Sequence, residues 1–266
     1  MPGDHAKRAL ESSRFADLRW VGSTGSTNAD LLALAAEGAA DGVVLVADHQ
    51  TAGRGRMGRS WEAPPGSSLL CSILLRPDIP VAMLQLISLA TAMAASDACD
   101  TVAGVRPRLK WPNDLMVEGS DGEERKVAGI LAESSLKADG VAAVVVGMGL
   151  NVNWPDALPD ELASIATSLN HHAGREIDRE ELLVAHLRGL ETMLSQLGTA
   201  EGSEALLLRY RHLSCTLGRM VRVELSSGAL TGQASDLTPD GHLLVELAGE
   251  LVPVAAGDVV HLRPAT

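Results

Sequence analysis

Cysteine is scarce in this chain: Cys71, Cys99 and Cys215 are the three present in 266 residues. None forms a Cys-x-x-Cys pair, and no Cys/His cluster has zinc spacing. That argues against a disulfide scaffold or structural zinc and fits a reducing, cytoplasmic compartment. Aromatic residues are 2% of the chain, too few for the stacking platforms of single-strand nucleic-acid binders. Basic residues number 22 against 34 acidic, a net charge of −12, which excludes a broad surface tracking a nucleic-acid backbone. No apolar core follows the N-terminal Met, so a secretory signal is not expected. Long hydrophobic runs are lacking too. The longest, Val81 to Cys99, is broken by Gln85, Ser88, Ser96 and Asp97, and reads as a buried helix rather than a membrane span. Lysine occurs only at 7, 110, 126 and 137, so the place of each is informative.

What is present is enough apolar sequence, 46%, to bury a core, and a length that allows one large domain and a small one. Residues 1–16 read as a loose tail. Ser26-Thr27-Asn28 precedes a leucine-bearing helix ending at Gly38. Val43 to Ala47 reads as a buried strand, Thr51 to Gly66 as a Gly/Arg loop, and Ser68 to Arg76 as a second strand stopped by Pro77. Short strands flank Pro112-Asn113-Asp114. Glu118 to Arg125 reads as an acidic hairpin loop, and Lys126–Glu133 and Val141–Leu150 as paired buried strands. His171-His172 reads as a polar loop. Helices are expected over 179–197 and 204–213. Five short alternating strands then follow in under fifty residues, which is the pattern of a small barrel. The expected division is a tail over 1–16, a catalytic domain over 17–217 and a barrel over 218–266.

Chemistry concentrates in four segments. Gly53-Arg54-Gly55-Arg56-Met57-Gly58-Arg59 follows a strand and matches G-x-G-x-x-G. The Ser60-Trp61-Glu62-Ala63-Pro64-Pro65 that follows cannot continue as a helix, so the dinucleotide-binding reading fails. A phosphate-loop reading fails for the same reason and because Arg59 stands where Lys is required. Three arginines in six residues, on glycines that let the backbone approach a ligand, favour an anion-binding loop over a solvated basic turn. Lys110-Trp111-Pro112-Asn113-Asp114 gathers charge and amide on a turn. Lys126-Val127-Ala128-Gly129-Ile130-Leu131 opens an apolar strand with Lys, whose ordinary role there is to snorkel outward. Gly147-Met148-Gly149-Leu150-Asn151 puts glycines inside a buried strand, a sign of close backbone or ligand approach.

In this order, from about Ser23 to Asn153, these motifs resemble the biotin protein ligase family. The resemblance implies an α/β (α+β) catalytic domain like that of class II aminoacyl-tRNA synthetases, a mixed sheet with flanking helices, and a C-terminal SH3-like β-barrel. It implies that biotin and ATP, with Mg2+, give biotinyl-5′-AMP, and that biotin then passes to a lysine of a biotin carboxyl carrier domain of an acyl-CoA carboxylase. Some members carry an N-terminal helix-turn-helix domain. About twenty residues precede the motifs here, so no nucleic-acid partner is expected. Members occur as monomers and dimers, and the expected state is a monomer or weak homodimer.

By the same resemblance, Ser26, Thr27, Asn28 and Gln50 frame biotin, with Arg54, Gly55 and Arg56 folding over it and Gly129 beside it. Lys126 meets the biotin carboxylate. Arg56, Arg59, Trp61, Lys110, Asn113 and Asn151 serve the nucleotide. Asp114 supports the metal or orients the incoming amine, the alternative being a cap on the Pro112 turn. Lys126, Arg54, Arg56 and Asp114 form the catalytic set. Met57 departs from the consecutive basic residues of many relatives. Two alternatives stay open: a lipoate–protein ligase, which shares the adenylation logic, and a non-catalytic biotin sensor.

Overall fold

A computed structural model describes residues 2–137, 140–156, 160–225 and 228–262. Its central feature is a seven-stranded mixed sheet. After helix α1 (Asp4–Ala9) come strand β1 (Leu18–Val21), helix α2 (Thr27–Ala36), and strands β2 (Val44–Ala47) and β3 (Ser68–Leu75). Helix α3 (Leu84–Ala103) leads to β4 (Arg108–Lys110), β5 (Asp114–Glu118), β6 (Glu124–Lys137) and β7 (Gly140–Asn151). The sheet order is β1-β2-β3-β7-β6-β5-β4, with β1 and β2 parallel and the other neighbours antiparallel.

All eight residues of β3 are buried, because helices cover both faces of the sheet. Leu31 of α2 packs with Val43, Leu45, Leu74 and Val145 on one side. On the other side, α3 joins the main core together with helix α6. Short helices α4 (Asp160–Ala163) and α5 (Leu169–Ala173) precede α6 (Arg179–Gln196) and α7 (Ala200–Leu213). His171 and His172 therefore lie on α5 rather than in a polar loop. The Val81–Ala103 segment is long and apolar enough to cross a membrane by composition, but 67% of its most apolar window is buried inside the fold. That makes it a core helix, as its interrupting polar residues indicate.

The N-terminus is not the loose tail expected. Ala6, Leu10 and Phe15 are fully buried in the main core. The Glu180 carboxylate accepts hydrogen bonds from Gly3 N and Ala6 N at 3.0 Å each, and Glu191 Oε1 accepts from Arg14 N at 2.7 Å. Three buried apolar side chains among fifteen residues are too thin a pattern to reveal a partner helix more than 160 residues away.

The C-terminal strands are β8 (Met220–Leu225), β9 (Gly228–Leu237), β10 (Leu243–Leu247), β11 (Glu250–Val254) and β12 (Asp258–His261). They form one antiparallel sheet in the order β11-β10-β9-β8-β12. This sheet docks on the first. Buried Trp111 donates from Nε1 to Gly241 O at 3.0 Å, and Arg219 forks onto Glu124 at 2.7 and 2.8 Å. The docking places the turn before β12 beside the Gly/Arg loop.

Candidate active site

The floor of the site is bare backbone on β6 and β7, where Gly129 pairs with Gly149 and Leu131 with Gly147. A Cβ at Gly147 would sit 2.1 Å from Asn28 Oδ1, and one at Gly149 would sit 2.4 Å from the Trp61 ring. Any side chain at either position would evict a cavity residue. The glycines in this strand are therefore required by close approach.

One end of the cavity is lined by neutral polar side chains, with the Glu133 carboxylate behind them. Ser26, Thr27 and Asn28 are buried at the start of α2. The Ser26 side chain makes no cap hydrogen bond, so it is free for another role. Gln50 Oε1 accepts from Thr27 N at 2.8 Å and from Thr27 Oγ1 at 3.0 Å. Thr27 Oγ1 lies 2.7 Å from Ser72 Oγ, which donates to Asn28 Oδ1 at 2.6 Å. Asn28 Nδ2 then donates to Leu131 O at 3.1 Å and Glu133 Oε2 at 2.9 Å. Such a connected network holds donors and acceptors in fixed directions.

The other end is charged. Lys126 Nζ lies 2.6 Å from Asp114 Oδ1 and 5.4 Å from the centre of the Trp61 ring. Arg54 Nη1 reaches Glu133 Oε1 at 3.4 Å. Arg56 Nη1 donates to Asn113 Oδ1 at 3.1 Å and to Gly257 O at 3.3 Å. Arg59 pairs with Asp258. Burial pulls the Arg56 guanidinium below its ordinary value, with Asp114 and Asp258 opposing that pull, while the hydrogen bond to Asp258 raises Arg59. Cations meet carboxylates across a space of about 100 Å³, less than the ~300–1,000 Å³ of small-molecule sites. The Trp61 ring and the loop side chains fill it, so a ligand must displace them.

Residues 22–151 match the Biotin/lipoate A/B protein ligase family, and residues 216–262 match the Biotin protein ligase C terminal domain. The chain is 43% identical over 257 residues to a biotin–[acetyl-CoA-carboxylase] ligase of Mycobacterium tuberculosis, covering 94% of this chain and 91% of that protein. The chain belongs to the biotin protein ligase family. Another member, a bifunctional ligase/repressor BirA of Bacillus subtilis, is 35% identical over 85% of this chain and 68% of its own length. The biotin protein ligase of Aquifex aeolicus, solved in complex with biotin and ATP, superposes with a TM-score of 0.78 at 30% identity, covering 94% of this chain and 100% of that one. The mixed sheet with flanking helices and the C-terminal antiparallel sheet are thus the fold of the biotin protein ligases.

Within this family fold, Ser26, Thr27, Asn28, Gln50, Arg54, Gly55, Arg56, Arg59, Trp61, Asn113, Asp114, Lys126 and Gly129 all line one cavity. Lys126 therefore does not snorkel to open solvent. Asp114 faces Lys126 rather than only capping its turn. Two expected nucleotide residues are not among the lining. Lys110 ends β4, opposite Asp114 of β5, and Asn151 donates to Thr167 O at 3.0 Å. The structure adds Ser72, Glu133, Gly257 and Asp258 to the lining or its support. Ser72 has a local signal, a hydroxyl in an otherwise apolar strand. Asp258 has none, being about 200 residues distant from the loop it meets. Met57 has φ 55 and is 64% exposed, at the tip of the loop.

Proposed function

We propose that this chain activates biotin with MgATP to biotinyl-5′-AMP and transfers the biotinyl group to one lysine of a biotin carboxyl carrier domain. The observation that carries the reading is one cavity with a neutral hydrogen-bonding end and a cationic end, floored by glycines. The neutral network suits a polar ring that donates and accepts hydrogen bonds. The cationic end suits a carboxylate and phosphates.

In the first step a biotin carboxylate oxygen attacks the α-phosphorus of ATP, the P–O bond to the β-phosphate breaks, and pyrophosphate leaves. The nucleophile belongs to the substrate, so the chain needs to position two anions and offset their charge. Lys126 meets the carboxylate, and Arg56 and Arg59 meet the phosphates, Arg56 trading its protein acceptors for phosphate oxygens while Arg59 uses donors that Asp258 leaves free. Trp61 moves from its glycine seat to pack on the nucleotide base. Asn113 holds the floor of the nucleotide side through its bond to Ile130 O. Among the described residues no three acids, histidines or cysteines gather to hold a metal. Mg2+ would enter with ATP and offset phosphate charge, with Asp114 the carboxylate that would help hold it.

In the second step the carrier lysine amine attacks the acyl carbon and AMP leaves. Asp114, freed as Lys126 turns to the acyl phosphate, orients that amine. The acceptor is a carrier domain of an acyl-CoA carboxylase, the reaction takes place in the cytoplasm, and residues 218–266 act as a second domain.

The test is incubation with MgATP, an apo carrier domain, and either radiolabelled biotin or lipoate. Label on the carrier from biotin alone supports the reading. Label from lipoate alone assigns the chain to lipoate ligation, and bound adenylate with no transfer makes it a sensor.

A further inference from the structure

The Gly/Arg loop is held from two sides. Arg54 reaches down to Glu133 on the sheet, whereas Arg56 and Arg59 reach across to the turn before β12. That turn is itself pinned. A Cβ at Gly257 would lie 2.5 Å from Val223 Cγ1 and 3.1 Å from Glu224 O, so the backbone is pressed onto β8 and its carbonyl is fixed in place. Gly257 and Asp258 line the same cavity as Lys126 and the loop. The C-terminal sheet therefore supplies a wall of the site and a carboxylate at the loop's outer arginine.

We propose that Asp258 is a positioning residue that latches the Gly/Arg loop closed over the acyl adenylate, so that the C-terminal sheet sets how long the adenylate is retained. The inference rests on the ligase reading and deepens it. Asp258 acts through Arg59 and touches no reacting atom. Arg59 has more donors than Asp258 uses, so one face of its guanidinium serves the latch while another remains for a phosphate. The pair is partly exposed, at 61% for Arg59 and 34% for Asp258, so its effect is screened and modest. Closure also keeps water and stray amines from the acyl phosphate.

The experiment uses the full chain. Biotinyl-AMP is formed in place from radiolabelled biotin and MgATP without carrier, then chased with excess unlabelled biotin while bound label is followed. Asp258→Asn is expected to release the adenylate roughly two- to fivefold faster, the scale of one exposed ion pair. Adenylate formation is followed alongside, and release is expected to change by the larger factor. Asp258→Glu, which keeps the charge, should restore retention. Raising NaCl to 0.5 M should narrow the ratio between Asp258→Asn and wild type. Unchanged release from Asp258→Asn would overturn the latch, as would equal losses in both variants. Failure of the wild-type protein to form adenylate at all would instead overturn the ligase reading.

Discussion

Lys126 sits where the two halves of the cavity meet, 2.6 Å from Asp114 and over the face of Trp61. On the proposed mechanism, replacing it by Ala removes the charge that offsets the attacking carboxylate and the acyl phosphate. The expected loss is roughly 2–4 kcal/mol of transition-state stabilisation, read as slower pyrophosphate release. Stability should change far less, because the side chain is partly exposed. Near-wild-type pyrophosphate release from Lys126→Ala would remove Lys126 from the catalytic set. His186 on α6 makes a prediction of a different kind. It is fully buried, and burial pushes it down to about 4, with the Ala94 backbone pulling weakly the other way. Its folded-state value lies below the unfolded one of 6.5, so the unfolded chain takes up the proton first as pH falls. The stability this gives is fully present above pH 6.5 and is lost between pH 6.5 and 4, amounting to about 3 kcal/mol. His261 and His172 are lowered too, so part of the slope belongs to them. His186→Leu should flatten the fall of melting temperature over that range. An unchanged profile would show that His186 does not set it.

Among the elements, β6 and β7 were legible because Gly129, Gly147 and Gly149 interrupt apolar runs in a way that packing alone does not require. The loop 51–66 was legible as a cationic, non-helical segment from its charge density and from the prolines that forbid a helix. Its partners were not, because Gly257-Asp258 reads only as a turn between two short strands and meets the loop only once the second sheet docks. Helix α1 was hidden for a related reason. Its amphipathic signal is three residues long, and the groups that satisfy its first amides belong to Glu180. Phe15, fully buried just after it, measures how firmly this segment is part of the fold. Phe15→Ala should cost about 3–5 kcal/mol in denaturant unfolding and leave adenylate formation unchanged at permissive temperature. A loss under about 1 kcal/mol would return residues 1–16 to the status of a tail.

At the scale of the whole molecule, a chain of net charge −12 draws Arg54, Arg56, Arg59 and Lys126 to one cavity and balances them with Asp114, Glu133 and Asp258. The balance keeps the cations in place without a ligand, and on the proposed mechanism phosphate and carboxylate oxygens take over from protein oxygens at Arg56 and Lys126. Both sheets contribute, which is why neither half of the sequence alone reveals the complete site. The central claim is that this cavity joins a biotin carboxylate to the α-phosphorus of ATP before any acceptor protein arrives. Exchange of labelled pyrophosphate into ATP, with no carrier domain present, tests it most directly. Exchange is expected to require biotin, to go unsupported by lipoate, and to be lost in Lys126→Ala. Exchange that is absent without carrier, or that proceeds equally without biotin, would contradict it.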